Sequence, residues 1–165
     1  MGIIGPGRIG RAVSRRLAGF DVRVIEAGRG DDLQPLLEQS DVVSLHCPLC
    51  EDTRGLIGEG ALRAMKATAY LVNTARGAIV DTPVLRRALM EGWIAGAALD
   101  VTDPEPLPSD HPLLALPNLL VVPHMASATH AAREAMTEMA VDNLLAALRG
   151  ERMPHCANPE VYDAG

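Results

Sequence analysis

A doubly wound α/β domain, in which helices cover both faces of a mostly parallel sheet, is the fold class this sequence predicts. Three observations carry it. Short apolar, β-prone segments alternate with helical patterns along most of the chain. A glycine-rich turn joins the first strand to the first helix. Length sets the scale: at about 150 residues per domain, 165 residues allow a single domain, and 48% hydrophobic with 22% charged residues supply its core.

Residues 2–5 read as a short strand and 8–18 as a helix, with Ile9, Val13 and Leu17 on one face at the i, i+4, i+8 spacing. A second strand is expected at 22–25, a helix at 33–39, a strand at 41–46, a helix at 59–65 and a strand at 69–73. The next helix is punctuated by Asp81 or Thr82 as N-cap, Pro83 in its first position and Gly92 past its end. Residues 94–99 form a buried strand of small residues. The segment 101–118 holds five prolines, too many for any regular element to be expected. A last strand at 119–122 and a long helix over about 128–149, stopped by Gly150 and Pro154, complete the order. The domain is expected over 1–150, with 151–165 a C-terminal tail.

Composition removes several function classes. Aromatic residues are 2% of the chain, so no base-stacking platform is expected, and a formal charge of −6 repels phosphate polymers and anionic membranes. Neither nucleic acid nor a membrane is an expected partner. The longest apolar stretches fall short of the roughly 18 residues of a membrane span, and no signal-peptide pattern opens the sequence, which makes the cytoplasm the expected compartment. Three cysteines do not suggest a disulfide framework.

The turn Gly5-Pro6-Gly7-Arg8-Ile9-Gly10 is a G-x-G-x-x-G between strand and helix, the context of a dinucleotide fingerprint. Gly5 makes the turn, Gly7 lets backbone approach a pyrophosphate, Gly10 lets helix and strand pack, and the helix start offers free N–H groups. Without a ligand the same turn is only a tight strand-to-helix connection. An acidic residue at the end of the second strand would hold an NAD ribose, and Glu26 is positioned for that. Gly28-Arg29 instead leaves room and positive charge for a 2′-phosphate. The balance favours NADP over NAD.

Ligands of open α/β sheets sit beyond the carboxyl ends of the strands. Arg76 follows the strand at 69–73, Asp100 and Glu105 follow that at 94–99, and His124 follows that at 119–122. Arg76 can grip a carboxylate in two-point geometry. His124 can pass a proton to or from a carbonyl oxygen, since imidazole titrates near neutral pH, and Glu105 is placed to hold its ring. Each residue also has a plainer role: Arg76 as a turn cap, Glu105 as a solvated loop residue, His124 as a helix-entry residue. Three such residues at successive strand ends form the set that hydride transfer to a 2-oxo acid needs.

With these residues the sequence resembles the cofactor-binding domain of the D-isomer-specific 2-hydroxyacid dehydrogenases. The matching segments are G-P-G-R-I-G (5–10), S-D-V-V-S-L-H-C-P-L (40–49), T-R-G-L-I (53–57), N-T-A-R-G-A-I-V-D (73–81), A-L-D-V-T-D-P-E-P-L-P (98–108), D-H-P-L-L (110–114), N-L-L-V-V-P-H-M-A-S-A-T (118–129) and N-P-E-V (158–161). Within the family they are most similar to glyoxylate and hydroxypyruvate reductases. The resemblance implies a Rossmann-type sheet, Arg76, Glu105 and His124 as the catalytic trio, and cofactor contacts from Arg8, Ile9, Pro48, Thr53, Thr74, Ala75 and Asp100, the last holding the nicotinamide amide. It also implies a homodimer. The chain departs from the family in two ways: the substrate domain that precedes the first strand is largely absent, and residues 26–33 are too few for the usual helix and strand, so the sheet should lack one edge strand. A truncated or split enzyme is therefore expected, with a separate chain carrying the substrate domain, and the alternative is a catalytically inactive dinucleotide-binding or dimerising module.

Cys47-Pro48-Leu49-Cys50 beside His46 is a C-x-x-C, read here as packing residues because a zinc site lacks a nearby fourth ligand. No metal is expected. His111 and His130 are read as structural.

Overall fold

The computed structural model describes residues 1–163. Its strands are β1 (Gly2–Ile4), β2 (Ile25–Ala27), β3 (Val42–Leu45), β4 (Tyr70–Asn73), β5 (Gly96–Leu99) and β6 (Leu119–Val121), joined in one sheet of order β2-β1-β3-β4-β5-β6. Every neighbouring pair is parallel. Helices α1 (Arg8–Leu17), α2 (Gln34–Gln39), α3 (Glu59–Ala64) and α4 (Thr82–Met90) form the connections, and α5 (His130–Leu148) follows β6. This is a Rossmann-type sheet, and its strand order reverses between β1 and β3, the switch point at which such sheets open a crevice.

Parallel strands covered on both faces read as apolar runs rather than alternations. Ile3, Val43, Leu45 and Leu71 are accordingly fully buried, and the last three pack in one cluster with Ile57, Leu62, Ile79, Leu85 and Ile94 from the connections. Each such side chain contributes roughly 1.5–3 kcal/mol by leaving water.

Several boundaries differ from the expectation. The second strand lies three residues later, at Ile25–Ala27, because its register is set by β1, with Gly2 opposite Ile25 and Ile4 opposite Ala27, while Val22 stays exposed. Ile9 does not join the buried face of α1. The buried residue there is Gly10, so α1 meets the sheet through its backbone rather than an apolar side chain. At α4, Asp81 is the N-cap, its Oδ1 accepting the Val84 N–H at 3.0 Å, and Pro83 takes the second position. The proline-rich segment contains a 3₁₀ turn at Pro112–Ala115, where Pro112 opens the turn and His111 Nδ1 accepts the Leu113 N–H. At the β2 side the sheet ends with β2 itself.

The chain separates into two compact units, Met1–His124 and a second beginning at Met125. The second unit consists of α5, capped by Thr129 Oγ1 accepting the Ala132 N–H at 3.1 Å, and a tail tied back to it. Asn143 and His155 exchange two hydrogen bonds, and Arg152 pairs with Asp163 at 2.7 Å. Along α5, Met136, Val141, Leu144 and Leu148 are exposed. Among the described residues no helix is long and apolar enough to cross a membrane.

Candidate active site

The sheet register brings the strand ends level. Ala27 pairs with Ile4, Ile4 with Leu45, Leu45 with Asn73, Asn73 with Leu99, and Leu99 with Val121. One row therefore crosses all six strands, and the loops leaving it carry almost every residue singled out above. All of these residues lie in the first unit.

At the switch point the three fingerprint glycines have three different reasons. Gly5 has φ +93°, and a Cβ there would lie 2.4 Å from the Cys47 nitrogen. A Cβ on Gly10 would lie 2.4 Å from the Gly5 oxygen, so α1 can approach β1 only without one. Gly7 has nothing within 4 Å of its Cβ direction. It borders a cavity of about 470 Å³ whose walls come from the loops after β1, β2 and β3. Gly7 is the N-cap of α1, supplies no side-chain cap, and no acidic residue occupies the first turn, so the N–H groups there are not claimed by a side chain. Open backbone beside uncapped N–H groups fits a pyrophosphate.

Gly28, Arg29, Pro48 and Thr53 line the same cavity. Thr53 donates from Oγ1 to the Pro48 carbonyl at 2.7 Å and accepts the Cys50 N–H at 2.8 Å, which fixes the loop that presents Pro48. Arg29 reaches Asp52 on that loop, Nη2 to Oδ2 at 2.7 Å. Glu26, the candidate ribose acid, does not line the cavity. Its neighbour Ala27 does, and the Glu26 carboxylate accepts the Ser14 hydroxyl instead. The carboxylates on the lining are Asp31, which accepts the Gly28 N–H at 2.7 Å, and Asp52. No sequence signal marked either one, because a loop carboxylate acquires meaning only from what it faces. Arg8 and Ile9 stand exposed on the first turn of α1.

Beyond β5 and β6 a second cleft, about 520 Å³, is lined by Asp100, Thr102, Glu105, Val122 and His124 among others. His124 Nδ1 and Glu105 Oε1 are 2.6 Å apart. His124 holds φ +50°, sparsely populated for a residue with a side chain, and its N–H donates to the carbonyls of Asp100 and Val122. Strain of this kind persists where surroundings over-determine a position. Asp100 is buried at 5% exposure, directly after β5.

Arg76 stands exposed after β4 and its Nη1 donates to the Ala75 carbonyl at 2.6 Å. Thr74 and Ala75 precede it on the same loop. Asn73, quoted above only as the start of the segment 73–81, organises that loop: fully buried, it donates from Nδ2 to the Arg76 carbonyl at 2.9 Å and accepts the Ala75 N–H at 3.0 Å. Gly77, in the same segment, was given no role of its own. A Cβ there would lie 2.0 Å from the Thr102 carbonyl, so the Arg76 loop and the Glu105 loop touch through bare backbone.

The two cysteines of the C-x-x-C are free thiols in different surroundings. Cys47 is buried, which raises its thiol pKa, whereas Cys50 is exposed and the Thr53 hydroxyl lowers its pKa. His46 bonds Ser44 at 2.9 Å, and partial burial lowers its pKa. Among the described residues no group of three or more His, Cys, Asp or Glu is arranged to hold a metal.

A parallel sheet opened at its switch point beside a glycine turn, with a His–Glu pair further along the same edge, defines an NAD(P)-binding dehydrogenase domain. Comparison with known proteins makes the family specific. Residues 1–126 match the family described as D-isomer specific 2-hydroxyacid dehydrogenase, NAD binding domain, and the chain belongs to that family. It is 51% identical to a glyoxylate reductase of Thermofilum pendens, over 98% of this chain and 52% of the relative. A D-isomer specific 2-hydroxyacid dehydrogenase from Lactobacillus delbrueckii, solved in its NAD-complexed form, superposes with TM-score 0.79 at 34% identity, covering 92% of this chain and 53% of that one. An NADPH-dependent glyoxylate/hydroxypyruvate reductase from Sinorhizobium meliloti, solved with NADP and malonate, gives TM-score 0.79 at 36% identity, covering 88% and 48%. The chain spans about half the length of the relatives it matches.

Proposed function

We propose that this chain forms the cofactor-binding half of an NAD(P)H-dependent reductase of small 2-oxo acids of the glyoxylate and hydroxypyruvate type, acting in reverse on the CH–OH group of 2-hydroxy acids. The observation that carries this reading is the His124–Glu105 hydrogen bond at 2.6 Å, on the sheet edge that also holds the glycine turn and Arg76.

The cofactor supplies the hydride when bound along that edge. Gly5, Gly7 and Gly10 with the first turn of α1, including Arg8 and Ile9, receive its pyrophosphate. Gly28 and Arg29 face the adenosine ribose, where Arg29 favours the 2′-phosphate of NADP. Pro48, Thr53, Thr74 and Ala75 contact it along the crevice, and Asp100 holds the nicotinamide amide. Arg76 binds the substrate carboxylate and polarises the adjacent carbonyl. His124 donates a proton to the carbonyl oxygen as the hydride arrives, and recovers it in the oxidative direction. Glu105, bound to Nδ1, keeps Nε2 turned to the substrate. Residues 1–150 form the working domain and 151–165 a tail.

Glu105 and His124 expose 39% and 51% of their side chains, and hydride transfer is favoured by a site that excludes water. The remaining wall of the cleft comes from a substrate domain, and the active form is a cytoplasmic homodimer. That exposure also supports a second reading, a dinucleotide-binding or dimerising module without turnover. Oxidation of NADPH with glyoxylate separates the two. The enzyme reading expects slow turnover by this chain alone, strongly raised by adding the amino-terminal half of a relative. No turnover in either case, with cofactor still bound, supports the module.

A further inference from the structure

This inference rests on the dinucleotide reading of the cavity at the switch point. Among the described residues Arg29 is the only arginine or lysine on its lining, and two carboxylates, Asp31 and Asp52, line it as well. Asp31 is engaged by the Gly28 N–H at 2.7 Å. Asp52, on the loop after β3, holds the Arg29 guanidinium at 2.7 Å, with both side chains largely exposed. The positive charge that a 2′-phosphate requires is therefore already matched by a carboxylate from a different loop.

We propose that Asp52 is a specificity-determining residue that sets the balance between NADPH and NADH by competing with the 2′-phosphate for Arg29. A phosphate monoester carries about −1.5 to −2 charges near neutral pH, whereas the 2′-hydroxyl of NADH is uncharged. The guanidinium fork has donors enough to meet carboxylate and phosphate together, but the two anions then lie a few ångströms apart and repel. NADPH must displace Asp52 or bind against it. NADH meets neither demand, so its affinity is indifferent to the charge at position 52. Discrimination by this pocket is thus weaker than Gly28-Arg29 alone implies.

The test is a fluorescence titration of the 165-residue chain and its Asp52→Asn variant with NADPH and NADH. Asparagine keeps the shape and removes the charge, and an exposed ion pair contributes little to folding, so the variant folds, as a matched thermal midpoint verifies. NADPH should bind about tenfold tighter to the variant, the scale of removing one like charge a few ångströms away, while the NADH Kd stays within about twofold. The gain should shrink toward about 1 M salt, where screening reaches about 3 Å. Equal shifts for both cofactors, or none for NADPH, overturn the role of Asp52. Failure of the unmodified chain to bind either cofactor is a different result, since it overturns the dinucleotide reading itself.

Discussion

The two ends of the strand-end row are built by different means. At the glycine turn the site is made of backbone: its shape follows from φ at Gly5, the close approach at Gly10 and the open space at Gly7. At the other end it is made of side chains from three separate connections, Arg76, Glu105 and His124, held by buried Asn73 and by the strained backbone of His124. Damage at the first end should therefore register in folding or binding, and loss of a reacting side chain at the second in rate.

The largest effect expected from breaking that contrast is on turnover. His124→Gln should lower NADPH-dependent reduction of glyoxylate by about 10²–10⁴-fold, the range for losing a positioned general acid, while the Kd for NADPH stays unchanged in a fluorescence titration. An equal loss of cofactor binding would mean that the two ends are not separable. Next, Gly10→Ala should cost about 1–3 kcal/mol of stability in urea unfolding, because the new methyl group meets backbone that cannot step aside. Asn73→Ala should cost about 1–3 kcal/mol in the same assay by leaving the Ala75 N–H and Arg76 carbonyl without their partner. It should also raise KM for the 2-oxo acid by loosening the loop that carries Arg76.

The same contrast explains what could be read from the sequence. Strand and helix alternation gave the fold class and nearly every element, because each pattern is local and burial of the sheet enforces it. The fingerprint glycines were legible for a similar reason, being demands that neighbours in the chain place on one another. Strand β2 was misplaced because only three residues pair, and their register is imposed by β1 from more than twenty residues away. Ile9 misled in the same way, since apolar spacing marks a face without saying that Gly10 makes the contact. Glu26 was considered for its place at the end of the second strand, yet Ala27 and not Glu26 lines the cavity. Gly77 and Asp52 depend on contacts between loops that follow different strands, and no spacing within one segment encodes them, whereas Asn73 bonds within its own loop, to Ala75 and Arg76, and takes its role only from how that loop folds.

A smaller effect separates the cavity wall from the rest of the molecule. His46 is held below its ordinary pKa of 6.5 by burial, so the unfolded chain takes up its proton first as pH falls. Stability from this group is complete above about pH 6.5 and is lost as pH drops toward the folded value. The urea midpoint should decline modestly over that window, and the decline should flatten in His46→Gln.

The most direct test of the account is a side-by-side titration of the unmodified chain and Gly7→Ala with NADH and NADPH, with urea unfolding of both. A Cβ at Gly7 has no protein atom within 4 Å, so the substitution should leave the unfolding free energy within about 0.5 kcal/mol while weakening both cofactors by about tenfold or more. Binding that survives the substitution intact would contradict the claim that the backbone of the glycine turn is the pyrophosphate site.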